Sequence, residues 1–92
     1  MFVVTLEYRV PLPEVDALLP AHREWLDRLL ADGHLVACGP RVPRTGGVIV
    51  ARAASRGQLN ALLATDPLHQ ARAAAYTVVE FTAVRGLPDL LD

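Results

Sequence analysis

Residues 35–52 read LVACGPRVPRTGGVIVAR, and this stretch decides the fold. Leu35-Val36-Ala37-Cys38 reads as a strand closed by Gly39-Pro40. Gly47-Val48-Ile49-Val50-Ala51-Arg52 reads as a second. Arg41 to Gly47, with Pro43, Gly46 and Gly47, reads as a turn, and the short link predicts a hairpin. The hairpin lies between two helical segments, and a β-rich run stands at each end of the chain.

The first run, Phe2-Val3-Val4-Thr5-Leu6-Glu7-Tyr8, is β-branched and aromatic, and Val10-Pro11-Leu12-Pro13 ends it. A helix is predicted from Glu14 or Val15 to Asp32, with Gly33 as its C-terminal cap. Pro20 inside it marks either a kink or the true first turn. Under the second option His22 stands near a helix N-terminus. Ser55 is the expected N-cap of a helix running to about Thr65, which Asp66-Pro67 terminates. Leu68 to Ala75 reads as a short helical turn, and Tyr76 to Val84 as the last strand. Gly86 to Asp92 is a tail. The order β-α-β-β-α-β is the ferredoxin-like α+β pattern, a single domain with a four-stranded antiparallel sheet and both helices on one face. The strands do not alternate cleanly between apolar and polar residues, so the open face is expected to be covered by a second copy in a homodimer.

Composition narrows the function. The chain has 92 residues, 52% of them hydrophobic, with a net charge of -1. That balance predicts no nucleic-acid partner and no membrane-surface role, since both ordinarily need a basic patch. No apolar run approaches the roughly 20 residues of a membrane span, and no signal peptide is expected. Cys38 is the only cysteine, which fits a reducing, cytoplasmic address; it is read as a small buried hydrophobe. No glycine-rich turn leads from a strand into a helix, so no nucleotide cofactor is expected, and no cofactor of any kind is predicted.

Two polar residues interrupt apolar stripes. His22 fills the gap between Leu19 and Trp25 in the stripe Val15, Leu18, Leu19, Trp25, Leu26, Leu29 and Leu30. Asp66 extends the stripe Leu59, Leu62 and Leu63 by one turn. An inward carboxylate needs a partner, and an inward imidazole is the obvious one. Such a pair makes a general base: the carboxylate fixes the tautomer and stabilises the imidazolium. The alternative is a structural pair in which each group satisfies the other. Trp25, one turn on, either packs in the core or walls a pocket beside His22. Tyr8 and Tyr76 belong to strands expected to neighbour each other at the sheet centre. Either hydroxyl stands ready for a ligand carbonyl or ends in water. His69 lines the same pocket or lies at the surface, and His34 reads as a solvated turn residue. No metal site is expected, because no pair shows zinc-ligand spacing.

Pro20-Ala21-His22, Trp25-Leu26, Leu29-Leu30, Gly33, Leu35, Gly39-Pro40, Gly46-Gly47, Asp66-Pro67 and Tyr76 together resemble the YCII-related (YciI-like) family over most of the chain. The resemblance implies a dimeric α/β-barrel assembly and an active site of one His and one Asp, mapping onto His22 and Asp66. One relative removes HCl from a chlorinated hydroxyquinone-type compound, and the related barrels include muconolactone isomerases. The expected function is therefore cofactor-free proton transfer, isomerisation or HX elimination, on a small cyclic or aromatic carbonyl compound. Trp25, Tyr8, Tyr76 and His69 are the expected ligand-binding residues. A non-catalytic small-molecule- or partner-binding dimer is the alternative.

Overall fold

The computed structural model describes residues 1–90, and Leu91 and Asp92 of the tail lie outside the described residues. Its elements are β1 (Phe2–Tyr8), α1 (Leu12–Ala31), β2 (Leu35–Pro40), β3 (Gly46–Ala51), α2 (Arg56–Leu63), α3 (Pro67–Gln70) and β4 (Ala74–Glu80). A 3-10 turn, Pro88–Leu90, follows in the tail. The four strands form one antiparallel sheet in the order β2-β3-β1-β4, which is the ferredoxin-like arrangement.

Alternation within β1 sets the two faces. Phe2, Val4 and Leu6 are buried, while Val3 and Thr5 are half-buried. Phe2 pairs with Ala51, Val4 with Ile49 and Leu6 with Gly47, so Ile49 and Ala51 share the buried face. Val15, Trp25 and Leu29 of α1, Leu59 and Leu63 of α2, and Leu68 of α3 close the core over that face. Leu30 departs from the expected stripe and is 59% exposed.

Several boundaries differ from the sequence expectation for physical reasons. Helix α1 starts at Leu12 rather than Glu14, because a proline in its first turn gives up an N–H that has no helical partner anyway. It runs through Pro20, which is exposed, so the carbonyl freed by the ring can turn to water. His22 therefore sits about three turns inside the helix, away from the N-terminal dipole. Past Asp32 the helix closes in a Schellman motif. The His34 amide donates to the Leu29 carbonyl at 2.9 Å and the Gly33 amide to the Leu30 carbonyl at 3.2 Å. Gly33 takes the left-handed conformation this requires, with φ +79.

The hairpin arms are longer than expected. Gly39 pairs with Val48 and Pro40 with Gly47, and β3 begins at Gly46, inside the predicted turn. His34 is no solvated turn residue. Its Nδ1–H donates to the Arg52 carbonyl at 2.9 Å, and its own carbonyl accepts from the Arg52 amide at 2.7 Å. Strand β4 starts two residues early and stops at Glu80, because its partner β1 extends only from Tyr8, opposite Ala74, to Phe2, opposite Glu80. β4 is an edge strand, so Tyr8 and Tyr76 lie on neighbouring strands but β1 and β3 hold the centre.

Candidate active site

The local chain geometry explains why a carboxylate is buried here. Ser55 caps α2, its Oγ accepting from the Gln58 amide at 3.1 Å. Ala64 ends that helix, and Asp66 is extended (φ -67, ψ 127), as a residue before proline must be. Asp66 then caps α3, its Oδ1 accepting from the Leu68 amide at 3.0 Å. The link is pinned against the core by Leu63 on one side and Leu68 on the other, and Asp66 is 0% exposed.

His22 reaches it from α1. His22 Nδ1 lies 2.8 Å from Asp66 Oδ1, and the imidazole is 12% exposed. A carboxylate oxygen accepts, so the Nδ1 nitrogen carries the proton of this contact, and in the neutral ring Nε2 is the nitrogen with the lone pair. The ring is also stacked on Trp25, with centroids 5.7 Å apart and planes at 27°. One hydrogen bond and one stacking face thus fix the imidazole. Trp25 is itself locked, its Nε1–H donating to Thr65 Oγ1 at 2.9 Å, while the Thr65 hydroxyl donates to the Leu62 carbonyl at 2.7 Å.

The other oxygen of Asp66 is taken by β4. Tyr76, opposite Leu6 in the register and so on the helix-facing side, donates its hydroxyl to Asp66 Oδ2 at 2.5 Å. Burial, reinforced by that hydrogen bond and the carboxylate charge, pushes the Tyr76 phenol far above its usual range. Its end does not rest in water. His69 is exposed at the surface, 5.2 Å from the Tyr76 ring between centroids.

His22 also lines a cavity of about 420 Å³ between α1 and the β1–hairpin half of the sheet. The floor is apolar, from Leu6, Leu19, Leu26, Ile49 and Leu68. Tyr8, Asp16, Arg23 and Arg44 supply its polar groups, and Cys38 with Gly39 and Pro40 forms the hairpin wall. Arg44 donates to Asp16 at 2.5 Å, and this bond holds its guanidinium more firmly charged.

Of the residues expected to bind a ligand, Tyr8 alone faces this cavity. Trp25 and Tyr76 point their donors into the protein, and His69 stands outside. Cys38 is exposed rather than buried, because it borders the cavity between α1 and the hairpin instead of packing against a helix. Partial burial, then the negative charge of Asp27, holds its thiol above the ordinary range. Sequence reasoning missed Arg23 and Asp16 as lining groups. Both lie on the His22 helix at positions 16, 19, 22, 23 and 26, a spacing that marks one face. Among the described residues no group of three or more His, Cys, Asp or Glu side chains could hold a metal ion. No described helix is long and apolar enough to cross a membrane.

The family model for the YCII-related domain matches residues 1–82. The chain belongs to the YCII-related family. Among solved structures, this YCII-related chain is similar to 5-chloro-2-hydroxyhydroquinone dehydrochlorinase from Burkholderia phenoliruptrix AC1100, determined in complex with 2,5-dihydroxybenzoquinone. The two superpose with a TM-score of 0.76 at 21% identity, over 87% of this chain and 91% of the other. At that identity the likeness establishes the fold. No curated protein matches the YCII-related sequence.

Proposed function

We propose that this protein is a small proton-transfer enzyme in which His22 is the general base and Asp66 orients it. The observation that carries this reading is the imidazole itself. Its Nδ1 is bound to a fully buried carboxylate while the ring lines an apolar-floored cavity. With Nδ1 directed at Asp66, Nε2 is the nitrogen left for a ligand, and in the neutral ring it carries the lone pair that removes an acidic proton.

The cavity suits a small cyclic or aromatic carbonyl compound. Leu6, Leu19, Leu26 and Ile49 offer flat apolar contact, and Arg23, Arg44 and Tyr8 offer donors to oxygens on the ring. With a halide leaving group, Nε2 takes the proton, the electron pair moves through the conjugated ring, and halide leaves with the bonding pair. The products are HX and a more unsaturated ring, so no electron acceptor is required. Without a leaving group, return of the proton to another carbon gives isomerisation. The structural neighbour's dehydrochlorinase activity supports the elimination branch.

A homodimer is part of the same proposal. Val3, Val48 and Val50 lie half-buried on the sheet face that no helix covers, and Val79 on that face is 58% exposed. A second copy is the occupant this face suits. A reducing, cytoplasmic setting fits the single free thiol.

The test is chloride release from 5-chloro-2-hydroxyhydroquinone and related halogenated quinols. His22→Ala is expected to lower turnover by roughly 10²–10⁴-fold without changing the circular dichroism spectrum. Full activity of that variant overturns the assignment. Saturable binding of these compounds without any conversion would instead mark a binding module.

A further inference from the structure

We propose that Tyr76 is a positioning residue for the site: it holds the Asp66 carboxylate and sets how strongly that carboxylate supports a proton on His22. The inference rests on the general-base reading of His22, but its central test needs no substrate.

Asp66 joins three elements. Its Oδ1 meets His22 of α1 at 2.8 Å and the Leu68 amide of α3 at 3.0 Å; its Oδ2 meets Tyr76 of β4 at 2.5 Å. The carboxylate is fully buried, so no water competes for these positions. No buried side-chain polar atom among the described residues lacks a partner, and Tyr76 is the side-chain donor found on Oδ2. Without Tyr76, that oxygen would carry an unmatched lone pair inside the core.

The double grip acts in two ways. First, the carboxylate is held at both oxygens, which fixes its plane and hence the direction in which Nδ1 is held. Second, a phenol donating to Oδ2 draws negative charge away from Oδ1. A less basic carboxylate stabilises the imidazolium less, so Tyr76 moderates the basicity of Nε2. Tyr76 acts through Asp66 and touches no ligand, because its proton is already directed at Oδ2 and it does not line the cavity.

Other charged and titratable groups share the cavity with His22 or lie near the pair. Asp16 and Arg23 are on its own helix, Tyr8 on β1, Cys38 and Arg44 on the hairpin; His69 lies behind Tyr76. None is altered by Tyr76→Phe, so a change in His22 titration in that variant isolates the Tyr76–Asp66 bond.

The experiment is an NMR pH titration of the His22 ring in the wild type, Tyr76→Phe, Asp66→Asn and the double variant. Tyr76→Phe is expected to move the His22 midpoint upward by about half to one unit. In the Asp66→Asn background the same substitution is expected to move it far less, which shows that the effect passes through the carboxylate. A folded Tyr76→Phe protein with an unmoved midpoint overturns the proposal, as does an equal shift in both backgrounds. Should Tyr76→Phe fail to fold, 3-fluorotyrosine at position 76 keeps the shape and makes a stronger donor. The midpoint must then move downward, and a rise or no change overturns the proposal. Once a substrate is in hand, the acid limb of its pH–rate profile is expected to follow the same shifts. An absence of turnover speaks against the enzymatic reading alone.

Discussion

The two faces of the sheet are made of much the same residue types and behave differently. On one face Phe2, Val4, Leu6, Ile49 and Ala51 are at most 4% exposed beneath the helices. On the other, Val3, Val48 and Val50 are half-buried and Val79 is 58% exposed. Neighbouring residues of one strand, Val3 and Val4, therefore have the same chemistry and opposite surroundings. Hydrophobicity alone therefore does not say which face the helices take. Side-chain volume separates them better: the large residues Phe2, Leu6 and Ile49 all lie on the covered face, and the open face carries valines, threonines, Ala75 and Glu7. A flat valine surface is suited to packing against another sheet rather than against a helix's ridges.

Three substitutions test whether the two faces differ as described. A Cβ added at Gly46 would lie 1.7 Å from the Leu6 carbonyl oxygen and 2.7 Å from its carbon, both backbone atoms. Gly46→Ala is expected to separate β3 from β1 and cost roughly 4 kcal/mol or more, read as a collapse of the thermal unfolding transition. An unchanged melting temperature would mean the two strands are less tightly joined than the register shows. Leu6→Ala, on the covered face, is expected to cost about 2–5 kcal/mol in denaturant unfolding. Val50→Glu, on the open face, is expected to cost less than about 1 kcal/mol in the isolated subunit while abolishing self-association in sedimentation velocity. If Val50→Glu proves as damaging as Leu6→Ala at concentrations where the wild type is monomeric, the open face is part of the subunit's own core.

A fourth prediction concerns alkaline pH. The Tyr76 phenol is raised above its ordinary value near 10, chiefly by burial. A raised value means the folded state holds the proton more tightly than the unfolded chain. The stabilising contribution is complete below about pH 10 and is lost progressively as the pH climbs above it. Tyr76→Phe is expected to be less stable at neutral pH yet to lose less of its stability between pH 9 and about 11. Parallel decline of the two proteins would mean that the folded and unfolded chains hold the phenol proton equally tightly.

The fold was legible because each element carries its own punctuation. Gly33 caps α1, Ser55 starts α2, and Pro67 after Asp66 divides α2 from α3. The apolar stripes also placed His22 and Asp66 on the inner faces of their segments. What stayed illegible depends on distance in sequence. Nothing local to Tyr76 shows that its hydroxyl lies 2.5 Å from a carboxylate ten residues earlier. That contact exists because β4 pairs with β1 in a register that sets Tyr76 opposite Leu6. Likewise Trp25 reads equally as core or as a pocket wall until its indole N–H is seen donating to Thr65, forty positions on. Pro20 left two readings open, a kink or a first turn, and the packing of Val15 and Trp25 on either side of it carries the helix through.

Cys38 has a practical consequence. It is the chain's sole cysteine, and it shares the cavity with His22. A library of small disulfide fragments can therefore attach at one place only, beside the imidazole, and each captured fragment is read directly as a gain in protein mass. Because the thiol is held above its ordinary pKa, indiscriminate exchange is slow and capture favours fragments that dwell in the cavity. The shapes selected in this way would outline the natural ligand even before any turnover is observed.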